Sequence, residues 1–258
     1  MNDADLSDLS DLSRPDGFPQ TVSMGLSGML VRFADRMDDA ANRAALAFRA
    51  GVEAEAWEGV EETATSLGSV FLRFDPLRTD HRALAERLEG LLARRDWYSE
   101  ALPAGRRLWH IPALFGGPEA PQLDEAAALA GLSPDAAVAE LTARPVRVLT
   151  IGFAPGLPYM GPLPPHWDIP RQTALTPTLP AGAVVVAVRQ VIIFPTATPT
   201  GWRHVGQTGF RGFRPEAAIP FPLRAGDEVQ FHAVPAEELR RLRNEDPDGG
   251  GARSEPLR

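Results

Sequence analysis

The 258-residue sequence predicts an α+β unit of ferredoxin-like type followed by a mainly-β unit that closes as a barrel or sandwich. Three observations predict it. Helix and strand signals alternate from Ser27 to Arg94. From Val146 onward, short runs rich in β-branched residues recur between Pro and Gly at nearly regular intervals. Between the two lies Tyr98 to Arg107, which carries Pro103 and Gly105 and reads as a linker. A hydrophobic content of 44% is ordinary for a packed core, and the length suits one large domain or two smaller ones. The expected boundaries are a flexible tail over 1–20, the α+β domain over 21–105, the barrel domain over 106–235 and a second flexible tail over 236–258.

Taken in order, the repeat DLSDLSDLS (Asp5 to Ser13) and Arg14-Pro15-Asp16-Gly17 are too polar and turn-rich to bury anything. Gly28 to Phe33 is a short apolar strand. Met37 to Ala50 carries good helix formers, with Gly51 as its stop. Val60 to Thr65 is a weak strand, and Ser69 to Phe74 puts Val70, Leu72 and Phe74 on one face at period two. Leu84, Leu88, Leu91 and Leu92 form a stripe at helical spacing. The order βαββα gives the ferredoxin-like reading, with a final strand supplied later in the chain.

Leu108 to Pro112 is the next strand, and Gly116-Gly117-Pro118 a turn. Leu123 to Ala130 is a short helix ended by Gly131. A second helix has Ser133 as N-cap and Pro134 in its first position and runs to about Ala143, where Pro145 forbids continuation. Val146 to Ile151, Ala183 to Arg189, Val191 to Phe194 and Glu228 to Ala233 are the strands of the β unit, one end of which the two helices would cover. A short helix over Glu237 to Arg243 is then broken by Asp246-Pro247-Asp248-Gly249-Gly250-Gly251.

Composition excludes several chemistries. The net charge of −8 disfavours nucleic acid or an anionic membrane as partner, since both attract cationic surfaces. Cysteine is absent, which removes disulfides, thiolate nucleophiles and Cys-ligated zinc and fits a cytoplasmic location. Lysine is absent too, which removes Schiff-base chemistry, a Walker-type phosphate lysine and a biotin attachment site. No apolar run approaches the ~20 residues a spanning helix needs.

The candidate chemistry gathers between Gly152 and Thr208. In GFAPGLPYMGPLPP, Gly152, Gly156 and Gly161 could bring backbone amides up to an anionic or amide ligand, or could shape a rigid crossing loop. Arg189 and Gln190 end an apolar strand, where an arginine can grip a carboxylate or phosphate with paired donors, or simply meet an acid at a strand end. In Trp202-Arg203-His204 the histidine is a candidate acid or base, and Tyr159 a candidate proton donor; each also suits a hydrogen-bonded structural role. His166 and Asp168 lack a third nearby ligand, so no metal site is expected. His81 and His110 read as structural.

Six blocks in fixed order carry a resemblance. They are FGG (Phe115 to Gly117), GFAPGLPYMGPLP (Gly152 to Pro164), Pro170-Arg171, PAGAVVVAVRQ (Pro180 to Gln190), TPTGWRHVGQT (Thr198 to Thr208) and RAGDEVQF (Arg224 to Phe231). Together they resemble the allophanate hydrolase subunit 1 family, which includes the B-type subunit of 5-oxoprolinase and the kinase inhibitor KipI and forms part of the carboxyltransferase region of urea carboxylase. The resemblance covers about Leu108 to Val234 well and the N-terminal unit more loosely. It implies a cyclophilin-like barrel and a subunit of an ATP-dependent amide- or lactam-processing enzyme that opens 5-oxoproline to glutamate. Its partners would be a homologous second subunit, like allophanate hydrolase subunit 2 or the C-type subunit of 5-oxoprolinase, and a third 5-oxoprolinase subunit. The alternative is a KipI-like inhibitor of a sensor histidine kinase.

By residue type His204 and Tyr159 are the candidate catalytic residues, and with the resemblance Gly152, Phe153, Pro155, Gly156, Arg189, Gln190, Trp202 and Arg203 are the candidate substrate-binding residues. The chain departs from the family pattern at Pro118, Gln122 and Leu141, where polar groups are usual, and at Val188, Val191 and Ile192, where bulky residues enter a block that usually carries glycines. Those exchanges are expected to narrow a pocket and remove proton carriers.

Overall fold

The computed structural model describes residues 15–257, so the DLSDLSDLS repeat lies outside the described residues. The chain divides into two units, the first ending at Pro103 and the second beginning at Ala104.

The first unit is a four-stranded antiparallel sheet with two helices. Its elements are β1 (Gln20–Met24), β2 (Gly28–Arg32), α1 (Asp39–Glu55), β3 (Val60–Ser66), β4 (Ser69–Phe74) and α2 (His81–Leu92), and the sheet order is β1-β2-β4-β3. Both helices begin on an aspartate whose carboxylate accepts from a first-turn amide at 2.8 Å, Asp38 from Ala41 and Asp80 from Ala83. The apolar stripe of α1 is mostly alanine, which lets the helix lie close on Val31, Leu72 and Phe74 of the sheet while Phe48 fills the space between.

Two details differ from the sequence reading. Gly51 does not stop α1; the helix continues to Glu55 and closes on Ala56 at φ 47. A Cβ at Gly51 would stand 2.7 Å from Cη2 of Trp97, so packing rather than termination requires the glycine. The remaining strand of the sheet also comes earlier in the chain, not later: β1 lies at the edge beside β2. Its sequence QTVSM is exposed at most positions and carries little period-two signal.

The second unit is built from β5 (Arg107–Phe115), α3 (Leu123–Leu129), α4 (Pro134–Ala143), β6 (Val146–Ile151), β7 (Pro158–Gly161), β8 (Thr176–Leu179), β9 (Ala183–Ala187), β10 (Gln190–Ile193), β11 (Thr198–Thr200), β12 (Arg203–Thr208), β13 (Glu228–Ala233), α5 (Ala236–Glu245) and β14 (Arg253–Pro256). Seven strands follow one another in the order β12-β9-β10-β7-β6-β13-β5, and pairing of β12 with β5 closes them into a barrel. β8 and β11 form a separate ribbon. Val148, Val184, Val186, Val191, Val205 and Phe231 pack in the barrel core, and Leu123, Ala126 and Leu141 join the same cluster from α3 and α4.

Asp227, 1% exposed, ties the start of the barrel together. Its carboxylate accepts from the Arg107 amide at 2.9 Å, the Arg224 amide at 3.0 Å and the Trp109 indole at 3.3 Å.

The strand expected to reach Arg189 ends at Ala187. Val188 and Arg189, at φ 44 and 60, form the two-residue turn into β10, the left-handed pair that a tight hairpin demands. The tail expected over 236–258 is also corrected. The short helix expected over Glu237 to Arg243 is there, as residues 236–245, but the segment after it is not a tail, since β14 pairs antiparallel with β5. The glycine run between them is folded by hydrogen bonds, not by apolar burial. The Asp246 carboxylate accepts from the amides of Gly249 at 2.8 Å and Gly251 at 3.2 Å, and Gly250 lies against Gly209, where a Cβ would not fit. Leu239, fully buried, anchors the helix.

Candidate functional site

β12 lies between β9 and β5 and buries four polar side chains, Arg203, His204, Gln207 and Thr208. A bulge against β9 between His204 and Gly206 breaks the period of two, and it brings His204 and Gln207 into hydrogen-bond contact. The His204 Nε2 lies 3.2 Å from the Gln207 Oε1. The Gln207 amide nitrogen donates to the Ala181 carbonyl at 2.8 Å, which fixes which end of the amide faces the ring. Gln122 brackets the same residue, its side-chain oxygen accepting from the His204 amide at 3.0 Å while its own amide donates to the His204 carbonyl at 3.0 Å.

Burial holds the His204 imidazole below the usual histidine range. Hydrogen bonds to Gln207 and the Gly206 backbone, and the Glu119 carboxylate, oppose that shift without reversing it. The ring is therefore neutral near pH 7. It opens on a cleft of about 630 Å³ lined also by Gln207, Glu119, Arg211, Arg243 and Gly182.

A folded-state value below the unfolded one means that the unfolded chain takes up the proton first. The associated stability is complete above the unfolded histidine pKa and is lost as pH falls below it. Burial depresses His232 in the same direction. Thermal denaturation is expected to show stability falling from pH 7 to pH 5, with a shallower fall in His204→Gln. An unchanged slope in that variant would remove His204 as a source of the pH dependence.

Tyr159 lies in a different cavity, of about 270 Å³, with Trp202, Arg171, Phe153, Ile192 and Leu175. Its ring meets Trp202 edge to face at 6.1 Å, and Arg171 covers the Trp202 indole at 5.2 Å. Burial raises the phenol pKa, against a smaller lowering by Arg171, so the hydroxyl keeps its proton. The two candidate catalytic residues are thus not brought together.

The candidate substrate-binding residues scatter. Phe153, 86% exposed at φ 68, edges the Tyr159 cavity. Gly152, Pro155 and Gly156 shape the loop before β7 and line neither cavity. Gly152 donates to Leu157 at 3.1 Å, and Gly156 stands back to back with Gly212. Arg189, in the hairpin turn, donates through Nε to the Leu163 carbonyl at 2.9 Å. Gln190 is buried at the start of β10 and lines neither cavity. Arg203 is braced by Glu125 at 2.9 Å and by the Pro170 carbonyl. Only His204 reaches the larger cleft.

The departures from the family pattern separate in the same way. Val191 and Leu141 belong to the barrel core, Ile192 lines the Tyr159 cavity, Val188 forms the turn and Pro118 lines the His204 cleft. His166 is paired with Glu140 at 2.7 Å, where the Trp167 indole also donates at 2.7 Å. Among the described residues, no group of three or more histidine, cysteine or acidic side chains could hold a metal ion.

Gln207, Glu119, Arg211 and Arg243 were missed in the sequence. Gly206 was the available signal for Gln207, because a glycine inside a polar strand marks a bulge. Arg243 comes from the segment read as a tail.

Comparison with known proteins gives a consistent picture. A family model described as "Carboxyltransferase domain, subdomain C and D" matches residues 19–223. The B-type subunit of the 5-oxoprolinase of Bacillus subtilis strain 168 is 29% identical over 240 residues, 88% of this chain and 97% of that protein. Its counterpart in Escherichia coli O157:H7, likewise the B-type subunit of 5-oxoprolinase, is 37% identical over 153 residues, 58% of this chain and 69% of that one. The crystal structure of TTHA0988 superposes with a TM-score of 0.68 at 31% identity over 82% of this chain, which spans only 40% of that longer protein. The Kluyveromyces lactis urea amidolyase matches 92% of this chain and 16% of its own length with a TM-score of 0.70 at 18% identity, a likeness of fold alone.

Proposed function

We propose, from the premise that this chain belongs to the family of carboxyltransferase-domain subdomains C and D, that it is a subunit of a 5-oxoprolinase-like complex. One observation carries the reading, the match to a B-type subunit of 5-oxoprolinase over nearly the whole length of that relative. On the same reading the barrel is cyclophilin-like, and the first unit is a ferredoxin-like arrangement whose outer strand precedes the others. The complex works in the cytoplasm, a reading that the absence of cysteine favours; no helix among the described residues is long and apolar enough to cross a membrane.

The His204 cleft is the reaction site. His204, neutral with its Nε2–H donated to Gln207, takes the proton from an attacking water on Nδ1 as the lactam C–N bond opens, and the proton passes to the departing amine. ATP, when bound, supplies the activation of the lactam carbonyl. This chain offers its phosphates no lysine and only two arginines in the cleft, each facing an acid, so the nucleotide sits on a partner subunit. That partner is a homologous second subunit, with a third completing the complex. Tyr159 serves as a hydrogen-bond donor in its own cavity, beside Trp202.

A second reading, a KipI-like inhibitor that docks on a sensor histidine kinase, is favoured by exposed Phe153 and Leu175 at the mouth of the Tyr159 cavity. Reconstitution separates the two. The chain mixed with its partner subunits is expected to convert 5-oxoproline to glutamate only with ATP present, and His204→Ala to lower turnover by about 10²-fold. Absence of turnover together with capture of a histidine kinase would favour the inhibitor. Full turnover in His204→Ala would remove the residue's catalytic role.

A further inference from the structure

We infer that Arg243 is the residue by which the His204 cleft selects a ligand bearing a carboxylate, exchanging its ion pair with Glu119 for the ligand's acid group. The inference rests on the proposed reading of the cleft as the lactam site. Arg243 projects from α5, beyond the last residue matched by the family model, and lines the cleft together with His204, Gln207 and Arg211. Its stem lies against Gly209, where a Cβ would stand 2.8 Å from the Arg243 Cγ, so the guanidinium is aimed by packing rather than left to wander.

Its present partners hold it loosely. Nη1 lies 3.3 Å from the Glu119 carboxylate and Nη2 3.3 Å from the Thr208 carbonyl, both at the long end of the range for a charged pair. Neither contact uses the paired geometry in which a guanidinium meets both oxygens of one carboxylate. The Glu119 side chain is 40% exposed and can turn to water without leaving a buried charge. The charged side chains lining the cleft are Glu119, Arg211 and Arg243, and with Arg211 balanced by Asp248 a ligand carboxylate keeps the charges matched by taking the place of Glu119 on Arg243. Arg211, the other lining arginine, is paired with Asp248 at 3.1 Å, a shorter contact than that between Arg243 and Glu119. A neutral lactam gives Arg243 no reason to leave Glu119, whereas a carboxylate replaces that acid with a better-shaped one.

The test is binding by calorimetry to the full chain, alone and in the reconstituted complex, with 5-oxoproline and with pyrrolidin-2-one, the same ring without the acid. Arg243→Gln is expected to weaken 5-oxoproline binding by about tenfold or more while leaving pyrrolidin-2-one unchanged. Arg243→Lys should recover part of the loss, and Glu119→Gln should tighten 5-oxoproline by releasing the arginine. If Arg243→Gln and Arg243→Lys both bind 5-oxoproline like the unaltered chain while His204→Ala does not, the role of Arg243 falls and the reading of the cleft stands. If the unaltered complex binds neither compound, or binds both undiminished in His204→Ala, the reading of the cleft falls and the inference with it.

Discussion

Replacing Asp227 by alanine is expected to cost the second unit about 3 kcal/mol, because the buried Trp109 indole and two partly buried backbone amides would lose their acceptor. The three donors come from β5 and from the turn that enters β13, strands that lie side by side with residues Leu108 and Glu228 in register. Loss of the carboxylate therefore loosens two neighbouring strands together. Asp227→Asn should cost less, about 2 kcal/mol, since its NH₂ can turn only one acceptor away from these donors. Trp109→Phe removes a single donor along with its own need for a partner, and should be milder still. Urea denaturation followed by tryptophan fluorescence reads all three. Equal stability of Asp227→Ala and the unaltered chain would show that these donors find other acceptors.

The second large effect is expected at Gly182. Its φ of +80 is strained for any other residue, and a Cβ there would overlap the Thr208 carbonyl and stand 2.9 Å from the Gln207 Nε2. Its amide donates to Phe194 at 2.7 Å and its carbonyl accepts from Thr208 at 2.9 Å, so the backbone cannot move aside without breaking both. Gly182→Ala should cost about 3 kcal/mol or more. It should also lower turnover in whatever fraction folds, by no more than the ~10²-fold of His204→Ala, because Gln207, displaced, no longer orients His204. Gly105→Ala is the control. It has the same φ of +80 with open space around it, and should cost only about 1–2 kcal/mol of backbone strain. Comparable stabilities for the two variants would show that the crowding at Gly182 relaxes.

Elements whose signals are local were legible in the sequence. The Ser133 and Pro134 start of α4, the alternation in Ser69 to Phe74 and the β-branched runs of the barrel each encode their own conformation within a few residues. What was not legible depends on contacts made far along the chain. Gly51 looked like a helix stop because its neighbour in space, Trp97, is remote in sequence. β1 and β14 are short, polar and mostly exposed, and become strands only because an edge is waiting for them. The candidate site follows the same rule. His204 was recognisable by residue type, but Gln207 joins it through a bulge and Arg243 through a helix anchored on one leucine, neither of which spacing reveals. Arg189 and Arg203 were recognisable by type as well, but not the partners they meet, the Leu163 carbonyl for Nε of Arg189 and Glu125 and the Pro170 carbonyl for Arg203.

β5 divides one of its edges between two partners, β14 along Arg107 to His110 and β12 along Ala113 to Phe115, while β13 takes the other edge. All three partners emerge from the ribosome long after β5 itself. During synthesis this strand must wait with both sides unsatisfied, holding Trp109, Ile111 and Ala113 ready for a core that does not yet exist. The barrel is thus a structure that closes at its own beginning, and its most vulnerable period is the interval between making the first strand and delivering the last.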